Sequence, residues 1–272
     1  MAPITSKPVN LNVDPLERRF GVVAKKLAKC EKHGEYASII SSKSEQASGC
    51  PDCAEEAQRE KDAAEQKAIF ARSAQERLER RLGDAMIPKR FQGKNFNDFR
   101  AETPQQKRNA KACFDYADRF PENHEAGRCL LLLGLPGTGK THLANAIAGY
   151  VIVNHGMTAV YRTVTGILQF VKGSFCNGAD YTEADAFAAL IQPDLLVIDE
   201  AGATKQTEFE LATLFTVING RYEQQKPTIL ISNLMPEELP TVIGERCVDR
   251  LRENGGTALK FDWESARKGT AA

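Results

Sequence analysis

The chain has 272 residues, and its 36 Lys and Arg residues are balanced by 36 Asp and Glu residues, so the formal net charge is zero. This balance excludes a basic field over the whole chain, and any contact with nucleic acid must be local. The length suffices for one sizeable domain and an appendage. We expect no membrane span and no secretory signal, and seven cysteines without such a signal favour a reducing cytoplasm.

Residues 1–53 are predicted to form an N-terminal region with two pairs of metal-ligating residues. Cys30 and His33 form one pair and Cys50 and Cys53 the other, with two residues between the ligands of each pair. Four nitrogen and sulfur ligands at this spacing suit tetrahedral Zn²⁺, and so short a segment has little apolar surface with which to fold. Coincidental spacing of free thiols is the alternative, and we predict zinc.

The segment 54–85 is predicted to be a charged connector helix. Its acidic residues lie mostly early and its basic residues late, as the helix dipole favours. Its large apolar residues are too few for a core-facing stripe, so a solvated connector is favoured over a coiled-coil or partner-docking helix. A short helix around 16–27 and a small strand around 35–40 are expected before it.

Residues 86–272 alternate apolar strands with helices, which predicts a parallel α/β sheet with ligand groups at the carboxyl ends of its strands. A helix capped by Thr103 precedes the first strand. The predicted strands are 128–133, 158–162, 194–200, 227–233 and 257–261, and the predicted helices are 103–120, 142–148, 164–175, 183–190, 207–223 and 244–252.

The stretch after the first of these strands matches the phosphate-loop pattern G-x-x-x-x-G-K-[ST]. Its glycines let backbone N–H groups turn towards phosphates, and the following helix N-terminus adds positive potential. A glycine-rich turn that binds nothing is the alternative, but the flanking strand and helix favour a nucleotide site. Lys140 is predicted to reach the β- and γ-phosphates and the Thr141 hydroxyl to bind Mg²⁺. The predicted nucleotide-binding residues are Gly134, Gly137, Thr138, Gly139, Lys140 and Thr141.

Polar residues end the next two buried strands. Asp199 and Glu200 follow four apolar residues, which predicts that Asp199 holds Mg²⁺ and that Glu200 orients and polarises the attacking water. Two acids that merely end a strand are the alternative, which the phosphate loop upstream disfavours. Asn233 ends the following strand, where its amide either reaches the γ-phosphate or starts a turn.

A short basic helix near the C-terminus carries Arg246 and Arg250 on one face, four residues apart. One reading is an interface helix whose guanidinium enters a neighbouring active site and stabilises transition-state charge. The other reading is an ordinary exposed basic helix, and the residues alone do not separate the two.

Six motifs are spread over residues about 86–268: Ile87-Pro88-x-Arg90-Phe91, the phosphate loop, the strand ending in Asp199-Glu200, Ser232-Asn233, Gly244-Glu245-Arg246-x-x-Asp249-Arg250 and Phe261-x-Trp263. Together they resemble the DnaC-type helicase loaders, which are AAA+ ATPases related to the IstB transposition helpers. The N-terminal knuckle resembles that of zinc-bearing phage and prophage members.

The resemblance implies a five-stranded sheet of order 5-1-4-3-2 and assigns roles to individual residues. Asn233 matches sensor 1, Arg250 the arginine finger, and Arg267 falls where a sensor-2 arginine is expected. In such loaders a helical insertion, here 164–187, lines a channel for single-stranded DNA. The DNA-facing positions would be Phe175, Thr207 and Phe209, although both aromatics also suit a core.

The function that the resemblance implies is loading of a hexameric replicative helicase onto single-stranded DNA. We expect a weak ATPase with ATP, Mg²⁺ and Zn²⁺ bound, ATP-dependent self-association, and helicase binding by the N-terminal region. Two alternatives stay open. One is an IstB-like transposition regulator that binds duplex DNA and a transposase. The other is a non-catalytic zinc-containing adaptor with a structural nucleotide, which the presence of Glu200 and Arg250 disfavours.

Overall fold

The structure, a computed structural model, forms two compact units by its internal contacts, residues 1–75 and 76–272. No helix in the part of the chain that it describes is long and apolar enough to span a bilayer. The described residues are 9–44, 46–176, 178–203 and 207–266.

The first unit is built on a short helix and a hairpin. Helix α1 (Pro15–Arg19) leads into strand β1 (Val22–Cys30), which pairs antiparallel with β2 (Gly34–Ser41). The helix expected around 16–27 is therefore wrong beyond its first turn. Gly21 adopts a left-handed φ of +84° that ends α1, and the apolar residues after it pair with β2. Helix α2 (Pro51–Asp84) follows, and the division between the units falls within it.

The second unit confirms the predicted parallel α/β fold. The strand order is β4-β5-β6-β3-β7, which is 5-1-4-3-2 when β3 is counted as strand 1. The predicted helix 103–120 is instead two helices, since the first ends at Asp118. In chain order the elements are α3 (Pro104–Asp118), α4 (Phe120–Glu125), β3 (Leu130–Gly134), α5 (Lys140–His155), β4 (Ala159–Thr163), α6 (Val164–Gly173), α7 (Glu183–Ile191), β5 (Leu195–Ala201), α8 (Glu208–Glu223), β6 (Thr228–Ser232), α9 (Leu239–Ile243), α10 (Glu245–Arg252) and β7 (Thr257–Phe261).

The sheet is buried on both faces, which explains the unbroken apolar run of β3. Leu130 and Leu132 belong to the core under α3 and α5, whereas Leu131 and Leu133 belong to the core under α6, α7 and α8. Successive side chains of a strand point to opposite faces, so one leucine run supplies both layers.

A buried arginine joins three elements on the second face. Arg221 of α8 is 1% exposed, and its guanidinium donates to backbone carbonyls at the end of α7 and before β6. Burial lowers the pKa of Arg221 to about 10, so the side chain stays charged at neutral pH. Its acceptors are the carbonyls of Leu190, Ile191, Pro193, Asp194 and Pro227 and the hydroxyl of Thr228.

Candidate functional site

The phosphate loop joins β3 to α5 through glycines in left-handed conformations. Gly134, with φ +124°, approaches β7 so closely that a Cβ there would lie 2.3 Å from the carbonyl oxygen of Phe261. Gly139, with φ +94°, precedes α5, and a Cβ on it would lie 2.5 Å from the ring of Phe99. These glycines therefore permit tight packing behind the loop as well as close approach of the backbone to a phosphate.

Hydrogen bonds inside the loop hold its shape. The Thr138 hydroxyl donates to the carbonyl of Leu135 at 2.8 Å, and the amide of Ala266 donates to the carbonyl of Gly137 at 3.0 Å. The ammonium of Lys140 donates to the carbonyls of Gly134 and Leu135, both at 2.7 Å. The lysine is only 5% exposed, so the loop curls around its positive charge.

Thr141 and Asp199 meet at the carboxyl ends of β3 and β5. The Thr141 hydroxyl donates to Asp199 Oδ2 at 2.8 Å, and the amide of Glu200 donates to Asp199 Oδ1 at 2.7 Å. A hydroxyl and a carboxylate are hard oxygen ligands, so this pair fits Mg²⁺.

Tyr161 is a member of this network that sequence reasoning missed. Its hydroxyl donates to Asp199 Oδ2 at 2.7 Å from the neighbouring strand β4. Burial, with the negative charge of Asp199 beside it, raises the pKa of Tyr161 well above its usual range, so the phenol remains a donor. Only the register of β4 against β5 reveals this contact.

Glu200 and Asn233 face the same cavity as the phosphate loop. This nucleotide cavity has a volume of about 520 Å³, and Lys140, Thr141 and Asp199 also line it. Glu200 is exposed and has a φ of +61°, a conformation that costs free energy in a residue with a side chain. The structure thus brings together the predicted phosphate, magnesium and water-activating groups. It adds three basic side chains that the sequence did not assign to the cavity, those of Arg90, Lys94 and His142.

The four predicted zinc ligands converge where the turn of the hairpin meets the start of α2. Their ligand atoms all lie within 4.8 Å of one another. The sulfurs of Cys30 and Cys53 are 3.5 Å apart, and the Cys53 sulfur lies 3.3 Å from His33 Nδ1. Four ligands of a tetrahedral Zn²⁺, each about 2.3 Å from the ion, lie about 3.8 Å from one another. The cluster of Cys30, His33, Cys50 and Cys53 therefore has the size and the ligands that Zn²⁺ requires.

Glu56 orients the histidine of this cluster. Its Oε1 lies 3.2 Å from His33 Nε2, and its other oxygen pairs with Lys32. A carboxylate on one ring nitrogen favours metal binding by the other. Hydrogen bonds with Cys30 and Glu56 raise the pKa of His33 to about 9, while backbone amides of His33 and Lys32 lower that of Cys30 to about 6. Sequence reasoning missed Glu56, which follows Cys53 by three residues in α2.

Arg250 is not among the described residues that line the nucleotide cavity. Its guanidinium lies 4.2 Å from the ring centre of Tyr222, and it contacts Glu253 Oε2 at 3.4 Å. The described part of the structure therefore does not place Arg250 in the nucleotide cavity of its own chain. Arg267, the expected sensor-2 arginine, lies outside the described residues.

The predicted DNA-facing aromatics form a small cluster. Phe175 is 54% exposed, and its ring lies edge-on to Phe209 with centroids 6.2 Å apart. The Lys172 ammonium lies 5.1 Å from the Phe209 ring centre. Phe209 also packs against the core, and Thr207 caps α8 by accepting from the Glu210 amide. Phe175 offers an accessible ring beside a positive charge, whereas Phe209 is partly structural.

Comparisons with known proteins agree with this geometry. A family model described as IstB-like ATP binding protein matches residues 63–252. The replicative helicase loader DnaC of Buchnera aphidicola (subsp. Acyrthosiphon pisum, strain APS) is 31% identical over 202 residues, which cover 74% of this chain and 80% of that protein. The chain belongs to the IstB/DnaC-like family of AAA+ ATP-binding proteins. The resemblance read from the motifs is thereby confirmed.

Solved structures of replication proteins share the fold of this IstB/DnaC-like chain. The crystal structure of the DnaC helicase loader has a TM-score of 0.57 at 23% identity, covering 64% of this chain and 99% of that one. The replication initiator DnaA bound to AMPPCP and single-stranded DNA has a TM-score of 0.55 at 18% identity, covering 66% and 52% of the two chains. At these identities the likeness establishes the fold.

Proposed function

We propose that this protein is an ATP-driven loader of a hexameric replicative helicase onto single-stranded DNA. The observation that carries the proposal is its 31% identity to a replicative helicase loader over 80% of that protein's length. The IstB description of the matching family model keeps a transposition regulator as the second candidate. The loader is favoured because the identity extends over most of a protein with that function.

In the proposed mechanism, the nucleotide cavity binds ATP and hydrolyses it slowly. The loop amides and Lys140 bind the phosphates, and Thr141 and Asp199 hold Mg²⁺, which when bound neutralises charge on the phosphates. Glu200 orients the attacking water and accepts its proton, while Asn233 contacts the γ-phosphate or that water. Slow hydrolysis suits a timing step, in which the bound nucleotide sets how long the protein stays on its partner.

Arg250 is proposed to act on the nucleotide of a neighbouring subunit. Arg250 is not among the described residues that line its own cavity, and it lies on the polar face of a basic helix; both observations support action in trans. A guanidinium delivered by a neighbour couples hydrolysis to ATP-dependent self-association, because a complete site exists only in the assembly. We propose Arg267 as a sensor that reads the nucleotide state.

Single-stranded DNA is proposed to pass over the cluster of Lys172, Phe175 and Phe209. An exposed ring stacks on bases of any sequence, and an ammonium beside it attracts the backbone. Thr207 stands at the start of α8 next to this cluster.

We further propose three functional segments: 1–53 as the zinc-binding region that holds the helicase, 54–85 as a connector and 86–272 as the ATPase. The convergence of the four zinc ligands supports a metal-stabilised N-terminal region. A small metal-stabilised unit at one end of a long helix suits capture of a partner while the ATPase engages DNA.

A loading assay tests the proposal. The purified protein is mixed with the replicative helicase of its host and closed single-stranded circles coated with single-strand binding protein, and the helicase retained on the circles is measured. ATP should raise retention severalfold, Lys140→Ala should abolish this gain, and Lys111→Ala, a change at an exposed residue of α3, should preserve it. Recovery of a transposase instead of a helicase from native cells would support the second candidate. Full loading by Glu200→Gln and by Arg250→Ala alike would favour a structural nucleotide.

A further inference from the structure

An aromatic ring of α8 holds the guanidinium of Arg250 from one side. The guanidinium lies over the Tyr222 ring, 4.2 Å from its centre, and the arginine side chain is 35% exposed. A cation over an aromatic face is attracted by the ring and gives up no N–H donor to it. The contact therefore restrains a long, flexible side chain without using its hydrogen-bonding capacity.

Most of that capacity is still free. Nη1 of Arg250 contacts Glu253 Oε2 at 3.4 Å, whereas Nε and Nη2 have no hydrogen-bond partner among the described residues. The Tyr222 hydroxyl donates to the other oxygen, Glu253 Oε1, at 2.8 Å. Tyrosine, glutamate and arginine thus contact one another in a triangle. A guanidinium that is held in this way, with free donors at its edge, suits phosphate oxygens.

The backbone on both sides of this contact is well anchored. Tyr222 lies in the last turn of α8, directly after Arg221, whose guanidinium is held by backbone carbonyls at the end of α7 and before β6. Helix α10 packs on the same core as α8 through its buried residues Cys247, Val248 and Leu251. With both helices fixed, the free variable is the side-chain conformation of Arg250, and the Tyr222 ring restrains it.

We propose that Tyr222 is a positioning residue for Arg250, whose guanidinium it holds ready for the γ-phosphate in the neighbouring subunit. Tyr222 is not among the described residues that line the nucleotide cavity, so its effect passes through the arginine. An unrestrained arginine loses rotamer freedom when it binds a phosphate, and an arginine that is already oriented loses less. This inference rests on the proposed action of Arg250 in trans.

Single-turnover hydrolysis by the full-length protein, assembled on single-stranded DNA with ATP, tests this role. Tyr222→Leu should lower the rate about tenfold or more, because the arginine is no longer oriented, and should leave ATP affinity unchanged. Tyr222→Phe is the matched control, since it keeps the ring and loses only the bond to Glu253. Its rate should stay within about twofold of wild type.

A double-mutant cycle separates positioning from a general structural effect. In an Arg250→Ala background, Tyr222→Leu should cause no further fall in rate, because the ring then has no arginine to hold. Mixing Tyr222→Leu with Lys140→Ala should partly restore hydrolysis, because the Lys140→Ala subunit supplies an intact Tyr222 and Arg250 pair. A further fall in the Arg250→Ala background would overturn the role of Tyr222.

Two other outcomes distinguish this inference from the function on which it rests. A wild-type or raised rate in Tyr222→Leu, while Arg250→Ala is impaired, would overturn the role of Tyr222 and leave Arg250 acting in trans. A wild-type rate in Arg250→Ala would overturn both.

Discussion

The Thr141 hydroxyl donates a 2.8 Å hydrogen bond to Asp199 Oδ2, joining residues 58 positions apart in the chain. Parallel strands place their carboxyl ends at one edge of the sheet. Asp199 lies on β5 and Thr141 lies in the first turn of α5, which follows β3 through the phosphate loop, and β6 lies between β5 and β3. The strands that position the pair, β3 and β5, lie inside a sheet that is covered on both faces. The fold therefore holds the two oxygen ligands of the proposed magnesium site side by side.

Removal of the threonine hydroxyl should uncouple nucleotide binding from magnesium. In Thr141→Val the side-chain shape is kept but one oxygen ligand is lost, so we expect the Mg²⁺-dependent gain in ATP affinity to fall about tenfold or more. Titration of ATP with and without Mg²⁺ measures this gain. Thr141→Ser, which restores the hydroxyl, should behave as wild type. If Mg²⁺ raises the ATP affinity of the valine variant as much as that of the wild type, Thr141 does not bind the magnesium ion.

Loss of the Glu200 carboxylate should slow hydrolysis and spare binding. Glu200→Gln keeps size and hydrogen-bonding capacity but cannot accept the proton of water, so we expect a fall in single-turnover rate of about 10²–10⁴-fold. Glu237→Gln, a change at an exposed acid, is the control. Hydrolysis at the wild-type rate in Glu200→Gln would show that another group activates the water.

The carboxylate of Glu56 should strengthen zinc binding through His33. Elemental analysis of protein purified without chelator should find about one zinc per chain. Glu56→Gln should weaken zinc about 10–100-fold in a chelator competition, because the histidine loses its orienting partner. Glu55→Gln is the matched control, since the neighbouring Glu55 carboxylate contacts Arg59 and is not part of the Cys and His cluster.

Cys50→Ser extends the zinc test to a direct ligand. It should release the metal and expose the hairpin to protease while ATP binding persists, because the phosphate loop belongs to the other compact unit. A wild-type protein without metal whose hairpin resists protease would contradict the zinc assignment.

Arg250 should act in the site of the next subunit. Arg250→Ala should leave ATP affinity nearly unchanged and lower hydrolysis within assemblies, up to about a thousandfold if chemistry limits the rate. Mixing it with Lys140→Ala forms some sites that have both an intact loop and an intact arginine. Hydrolysis should then partly recover, and Arg252→Ala, on the same helix, should need no such rescue. No recovery in mixtures that demonstrably co-assemble would make Arg250 an exposed basic residue.

Arg221 should matter for stability rather than for catalysis. Arg221→Met leaves several buried carbonyls without a donor, so we expect the free energy of unfolding to fall by about 3 kcal/mol or more. Arg108→Met, a change at an exposed residue of α3, should change it by less than about 0.5 kcal/mol. Urea unfolding measures the free energy of unfolding of both variants. Equal stability of the two would show that water satisfies the carbonyls equally well.

The nucleotide site was predictable because its information is local. The phosphate loop needs a strand, three closely spaced glycines and a helix start, all within one short stretch, and Lys140 and Thr141 follow from it. Asp199 and Glu200 end a buried strand, and parallel topology brings strand ends together whatever their sequence separation. The convergence of Cys30, His33, Cys50 and Cys53 was likewise predictable, because two pairs of potential ligands at fixed spacing carry their own geometry.

Tertiary structure alone decided which neighbours support these groups. Tyr161 reaches Asp199 through the register of β4 on β5, and Glu56 reaches His33 because α2 begins beside the hairpin. The helix expected around 16–27 gave way to a strand because pairing with β2 outweighed local preference.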